Sequence, residues 1–272
     1  MKESKPYLFG ATGVAAFLIT LAITTTGAIS NTQQACASSG FFFSTGDPDG
    51  RIATASRPEG RGKIETESAD DFLLTSRTML TEATFTGLLF HGGHGAIREV
   101  AVEIYRVFSK DSDTTRVPQV PTRMNSPSDK AFDTRSSKVL GQLRFSVEVI
   151  DPHFSAANSV INGINPSPSQ TTQGEGAVAG QEVRFHVMFD TPFDLPADHY
   201  FFVPQVLLRG HAGNFLWLSA PKPIVFPGTP FMPDLQSWIR NANLDPDWLR
   251  IGADIVGGTA FNASFSLSGV VP

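Results

Sequence analysis

Val183-Arg184-Phe185-His186-Val187-Met188-Phe189 places an apolar side chain at every second position. Successive side chains of a strand face opposite sides, so Val183, Phe185, Val187 and Phe189 turn to a core while Arg184 and His186 turn to water. The same period of two recurs on either side of this stretch. Leu143, Phe145, Val147 and Val149 alternate with Arg144, Ser146 and Glu148. Val100, Val102 and Ile104 alternate with Ala101, Glu103 and Tyr105, and Phe261, Ala263, Phe265 and Leu267 with Asn262, Ser264 and Ser266. One-faced alternation of this kind belongs to antiparallel sheets, because buried parallel strands are apolar on both sides. Asp71–Thr75, Ala83–Phe90, Tyr200–Leu208 and Phe215–Ser219 add further strands, with Pro204 predicting an edge or a bulge. About eight strands joined by turns predict an all-β, antiparallel two-sheet β-sandwich of jelly-roll type. Pro233–Asn241 is predicted as its one short helix, with Leu235, Trp238 and Ile239 on one side.

The composition agrees. Apolar and aromatic residues make up 41% of the 272, and the 24 glycines and 19 prolines supply many turns. The formal charge of −5 is spread along the chain without a basic tract, which excludes a nucleic-acid binder. Asp111–Ser137 and Asn162–Gly180 break the strand pattern and read as long loops.

The first 37 residues read as an export signal. Lys2 and Lys5 precede an uncharged run from Tyr7 to Ile23, and Ala35-Cys36-Ala37 sets small residues where a signal peptidase cuts. Cleavage is expected after Ala37, with Ala28 as the second choice, leaving 38–272 as one sandwich domain without a membrane segment. An uncleaved anchor is the alternative, since such a run is long enough to span a bilayer. Cys36 is the single cysteine, so the mature chain would hold neither a disulfide nor a thiolate.

Ala69-Asp70-Asp71-Phe72, Ala83-Thr84-Phe85-Thr86-Gly87, Val102-Glu103-Ile104-Tyr105 and the closing Phe265-Ser266-Leu267-Ser268-Gly269 resemble the strand motifs of bacterial exported β-sandwich modules. Many such proteins continue into a Pro-Glu-Pro sorting tail, which is not seen before Pro272. The resemblance covers most of 41–269 and implies a sandwich fold and export, not an activity.

Acidic pairs are the first candidate sites. Asp47-Pro48-Asp49-Gly50 fits both a plain turn and a fragment of a calcium loop, because calcium gathers six to eight oxygens. Asp70 and Asp71 are the densest acidic pair, with Glu65 and Glu67 just before them. The resemblance implies a cation held near such an edge, and a solvated strand end is the alternative reading. Asp245-Pro246-Asp247 repeats the theme. His91 and His94 lack a third donor for zinc. Trp248 and Tyr200 are the candidate sugar-stacking residues, and core packing is their other reading. No nucleophile elbow or metalloprotease motif occurs. Three functions follow: a non-catalytic module binding extracellular polysaccharide or another cell-surface component, with Ca2+ as its one candidate ion; a glycan-active enzyme using carboxylates; and an assembly subunit with an exposed edge strand.

Overall fold

A computed structural model describes residues 39–60, 62–117, 119–165, 170–210 and 213–272. The signal reading of 1–37, with its cleavage positions, lies outside the described residues. Ala37–Pro272 forms one compact unit.

Among the described residues fifteen strands follow in chain order: β1 Ser39–Ser44, β2 Ile52–Ala55, β3 Thr66–Leu74, β4 Thr78–Phe90, β5 Ile97–Arg106, β6 Asp133–Ser136, β7 Leu143–Ala156, β8 Asn158–Val160, β9 Val178–Leu195, β10 Asp198–Leu208, β11 Asn214–Ala220, β12 Trp238–Asn241, β13 Leu249–Arg250, β14 Asn262–Ala263 and β15 Phe265–Val271. Six of them, in the order β13-β12-β3-β10-β5-β6, make one sheet, and the other nine make the second. The protein is therefore an all-β two-sheet sandwich, antiparallel except where β2 runs parallel to β8. Among the described residues no helix is long and apolar enough to cross a membrane.

The larger sheet forks at β4. One edge of β4 pairs with β9 from Thr78 to Leu89, while the other pairs first with β15 and then with β11. Gly87 stands at the changeover, where a Cβ would come within 2.3 Å of the Phe215 ring, so any side chain there would push β11 away.

Alternation decides what fills the space between the sheets. Val183, Phe185, Val187 and Phe189 from β9 pack with Val100, Val102 and Ile104 from β5, Tyr200 and Phe202 from β10, and Phe265 and Leu267 from β15. Arg144, Glu148 and His186 lie on the outer face of the larger sheet, in register on β7 and β9. The outer face of the smaller sheet is not left to water. Tyr105, Phe201, Val203, Ala69 and Trp238 are roofed by Trp248, Val107 and Ala131, which come from the segments after β5 and β12. The polar 111–137 stretch is thus a cover over a sheet face, and it ends in β6.

Two sequence expectations give way. Pro233–Asn241 is not a helix: Trp238, Ile239, Arg240 and Asn241 pair with Ala69, Ser68, Glu67 and Thr66 of β3. Nine residues starting at a proline make a marginal helix, whereas the strand buries Trp238 and Arg240 on one face and Ile239 on the other. Pro204 lies in the interior strand β10, opposite Val102 of β5. The ladder between β3 and β10 runs only to Phe202, and Ser56 enters beside it. Ser56 donates its hydroxyl to the Pro204 carbonyl (2.5 Å), and its own carbonyl accepts from the Val206 N–H (3.1 Å). A missing proline N–H is tolerated where the neighbouring ladder has already stopped.

Candidate functional site

β12 and the segment leading into it bring two polar groupings together on the smaller sheet. The first is buried. Arg240 on β12 faces Glu67 on β3, and both are about 5% exposed or less. The guanidinium pairs with both carboxylate oxygens of Glu67 and donates to Tyr105 Oη at 2.8 Å. It also lies over the Trp248 ring, 4.4 Å from the centroid. Burial, the largest single influence, would lower the Arg240 pKa, but the Glu67 charge and hydrogen bonds, with Tyr105 and Asp245, together outweigh it and hold the group above its ordinary value.

Tyr105 Oη lies 2.6 Å from Glu67 Oε1 and 2.8 Å from Glu103 Oε2. One hydroxyl proton serves one of these oxygens, so the other carboxyl needs a proton of its own. Glu103 takes it: burial first, and then the Glu67 charge, push its pKa up to about 8. Two adjacent carboxyls of unlike protonation are also an arrangement that acid–base catalysis uses. Glu67, however, is 4% exposed and doubly bound to arginine, which leaves it no lone pair aimed at a substrate.

This arrangement has a pH signature. The folded chain keeps the Glu103 proton up to about pH 8, whereas the unfolded chain releases it near 4.5. The contribution of neutral Glu103 to stability is therefore complete below pH 4.5 and lost as pH rises through about 8. While the folded state holds one extra proton, stability falls by up to about 1.4 kcal/mol per pH unit. Glu65, Asp70 and Asp71 are also raised, by burial first, and act in the same direction. Urea unfolding between pH 5 and 9 should show a shallower slope for Glu103→Gln, which cannot ionise; equal slopes would place that carboxyl in water.

The second grouping is an open cleft of about 410 Å³. Thr122, Met124 and Asn125 of the cover form one wall; Lys222, Asp234, Leu235 and Gln236 form the other, with Trp238, Arg250 and Ala260 completing it. The Lys222 ammonium sits among four oxygens: Asp234 Oδ1 (2.5 Å), the Asp234 carbonyl (3.0 Å), Asn262 Oδ1 (3.2 Å) and the Leu235 carbonyl. Arg250 is held by Asp254 through a forked pair at 2.6 and 3.0 Å.

Asp70 and Asp71 anchor this wall. Neighbours on β3, they point to opposite faces. Asp70 accepts from Ser237 Oγ (2.9 Å) and the Ala263 N–H (2.8 Å). Asp71 accepts from His199 Nε2 (2.6 Å) and the Leu235 N–H (3.1 Å). Both are essentially inaccessible, so the solvated strand end is not what the chain builds. The Asp47–Asp49 turn stands elsewhere: Asp49 accepts from Ser219 Oγ (2.5 Å) and the Arg51 N–H (3.0 Å), and Asp47 pairs with Arg184 at 3.4 Å. The four acids do not converge, and among the described residues no three His, Cys, Asp or Glu side chains form a metal-holding group.

The aromatic platform is overturned. Tyr200 is fully buried, stacked on Phe72 at 5.6 Å, and donates to the Pro196 carbonyl. Trp248 is 1% exposed, edge-on to Tyr105 and under Arg240. Tyr200 fills the core because β10 turns it inward, and Trp248, just before β13, is laid as a roof over the outer face of the smaller sheet. Sequence reasoning missed Lys222, Asn125, Gln236, Arg240 and Arg250, since single polar residues carry no pattern until the chain folds.

Fold and site together define a β-sandwich with a cleft at the margin of its smaller sheet. No known protein family matches the chain, and neither a curated protein nor a solved structure matches it.

Proposed function

We propose that this chain is an exported β-sandwich module that binds a polyhydroxylated ligand, an extracellular polysaccharide or another cell-surface glycan, without transforming it. The observation that carries this reading is the lining of the cleft. Thr122, Asn125 and Gln236 offer a hydroxyl and two amides, groups that donate and accept as sugar hydroxyls require. Met124, 74% exposed, adds apolar surface for a sugar's C–H face. Among the lining residues Asp234 is the one carboxylate, and Lys222 neutralises it. Cleavage of a glycosidic bond uses two acids in separate roles, and the lining supplies no second one. The charged start and apolar run before Ala37 support export.

A glycan array followed by calorimetry on the best binder tests the proposal. Asn125→Ala and Gln236→Ala should each weaken binding about three- to tenfold, the worth of one hydrogen bond. Release of shortened or unsaturated sugars would establish the enzyme reading instead, and binding indifferent to both substitutions would remove the cleft from the account.

A further inference from the structure

Among the described residues β7 pairs with β9 alone, so its other edge presents unpaired backbone groups. Natural sheets protect such edges with prolines, charges or bulges. The second half of β7 is protected in this way, with register breaks between Val149 and Asp151 and between Asp151 and Phe154, around Pro152. The first half, Leu143–Val149, is regular and open. Val149 and Ile150 are about two-fifths exposed, and Val139 and Leu140 just before the strand are exposed as well.

We infer that Leu143–Val149 is an interface with a second copy of this chain, paired antiparallel about a two-fold axis through Ser146. The segment is self-complementary about that residue. Leu143 falls opposite Val149, Arg144 opposite Glu148, and Phe145 opposite Val147, each twice by symmetry. Arg144 and Glu148 are 66% and 57% exposed; within the chain Arg144 Nε holds Asp190 at 2.8 Å and Glu148 Oε2 stands 3.4 Å from His186, so each reaches across with its remaining guanidinium nitrogens or carboxylate oxygen. Neighbouring registers lose this match. Centring on Val147 sets Arg144 against Ile150, and centring on Phe145 sets it against Ser146. A slip by an odd number of residues would put the inner face of one copy against the outer face of the other. The chosen register instead continues the larger sheet with its apolar faces aligned, which is the isologous geometry of a two-fold dimer. The cleft belongs to other elements, so this interface can be tested apart from ligand binding.

Sedimentation equilibrium of the full chain decides it. The wild type should be dimeric at micromolar concentration. Arg144→Glu and Glu148→Arg should each raise the dimer dissociation constant about tenfold or more, by facing like charges across the axis. The double exchange, Arg144→Glu with Glu148→Arg, should restore the dimer. Ser146→Cys should give a reducible crosslinked dimer under oxidation in a Cys36→Ser background, and Ser155→Cys, beyond the bulges, should not. A monomer throughout, or an oligomer insensitive to both charge reversals, overturns the interface.

Discussion

Arg240→Ala is expected to destabilise the fold by about 3–5 kcal/mol, because it leaves the Glu67 carboxylate buried without its partner. Removing the guanidinium also strips the Tyr105 hydroxyl of a donor and opens space over the Trp248 ring. The cost comes from what remains behind rather than from the worth of the pair. Replacing both members by apolar residues of similar size, Arg240→Met with Glu67→Leu, should therefore recover a large part of the loss. Glu67→Gln alone should cost less than Arg240→Ala, since a neutral amide can still meet Tyr105 and one guanidinium N–H. Urea unfolding of the three variants beside wild type checks the order. A loss below about 1 kcal/mol for Arg240→Ala would mean that water reaches Glu67 and that the roof over the smaller sheet opens readily.

How much of this was legible depends on whether a residue's partner is near it in sequence. Period-two alternation is a local signal, and it located β5, β7, β9 and β15 from runs of six residues or more. Strands such as β2, β12 and β13, with two to four residues, are too short to show a period. Their place is set by partners: β12 exists because β3 lies beside it, 170 positions or so earlier in the chain. Read alone, Leu235, Trp238 and Ile239 have helical spacing, and only the pairing of Arg240 with Glu67 makes the extended form the better one. The acids divide in the same way. Asp70 and Asp71 stood out as a dense pair, but whether they faced water or anchored Ser237, Ala263 and Leu235 depended on contacts more than 160 residues distant. Trp248 follows the polar Asp245-Pro246-Asp247 run, a setting that by itself suggests exposure. Asp247 is itself buried, paired with Arg116 and Arg123 from the cover. Polar neighbours in sequence were a poor guide to exposure wherever each found its own partner.

The alternation that decides the fold also makes its sharpest stability prediction. Phe185 is fully buried on β9 and lies directly opposite Phe85 on β4, the rings stacked 4.7 Å apart and 11° from parallel. Phe215 meets it edge-on at 5.4 Å. β9 is an interior strand, with β4 on one side and β7 on the other, so the backbone around Phe185 cannot collapse into a vacated space. Phe185→Ala should cost about 3–5 kcal/mol, the transfer energy of the ring plus the cavity it leaves. These two aromatic contacts, and a looser one with Phe145 at 6.3 Å, are lost with it; each close one is worth about 0.5–1.5 kcal/mol beyond the area buried, which places the expected value toward the top of that range. Met188→Ala, three residues along the same strand but 46% exposed on the outer face, should stay within about 0.5 kcal/mol of wild type. A one-residue slip of β9 would exchange these two faces and reverse the order of the two losses. Chemical denaturation of the pair therefore tests the register of the strand itself: a loss below about 1 kcal/mol at Phe185, with a larger one at Met188, would put the wrong face of β9 in the core.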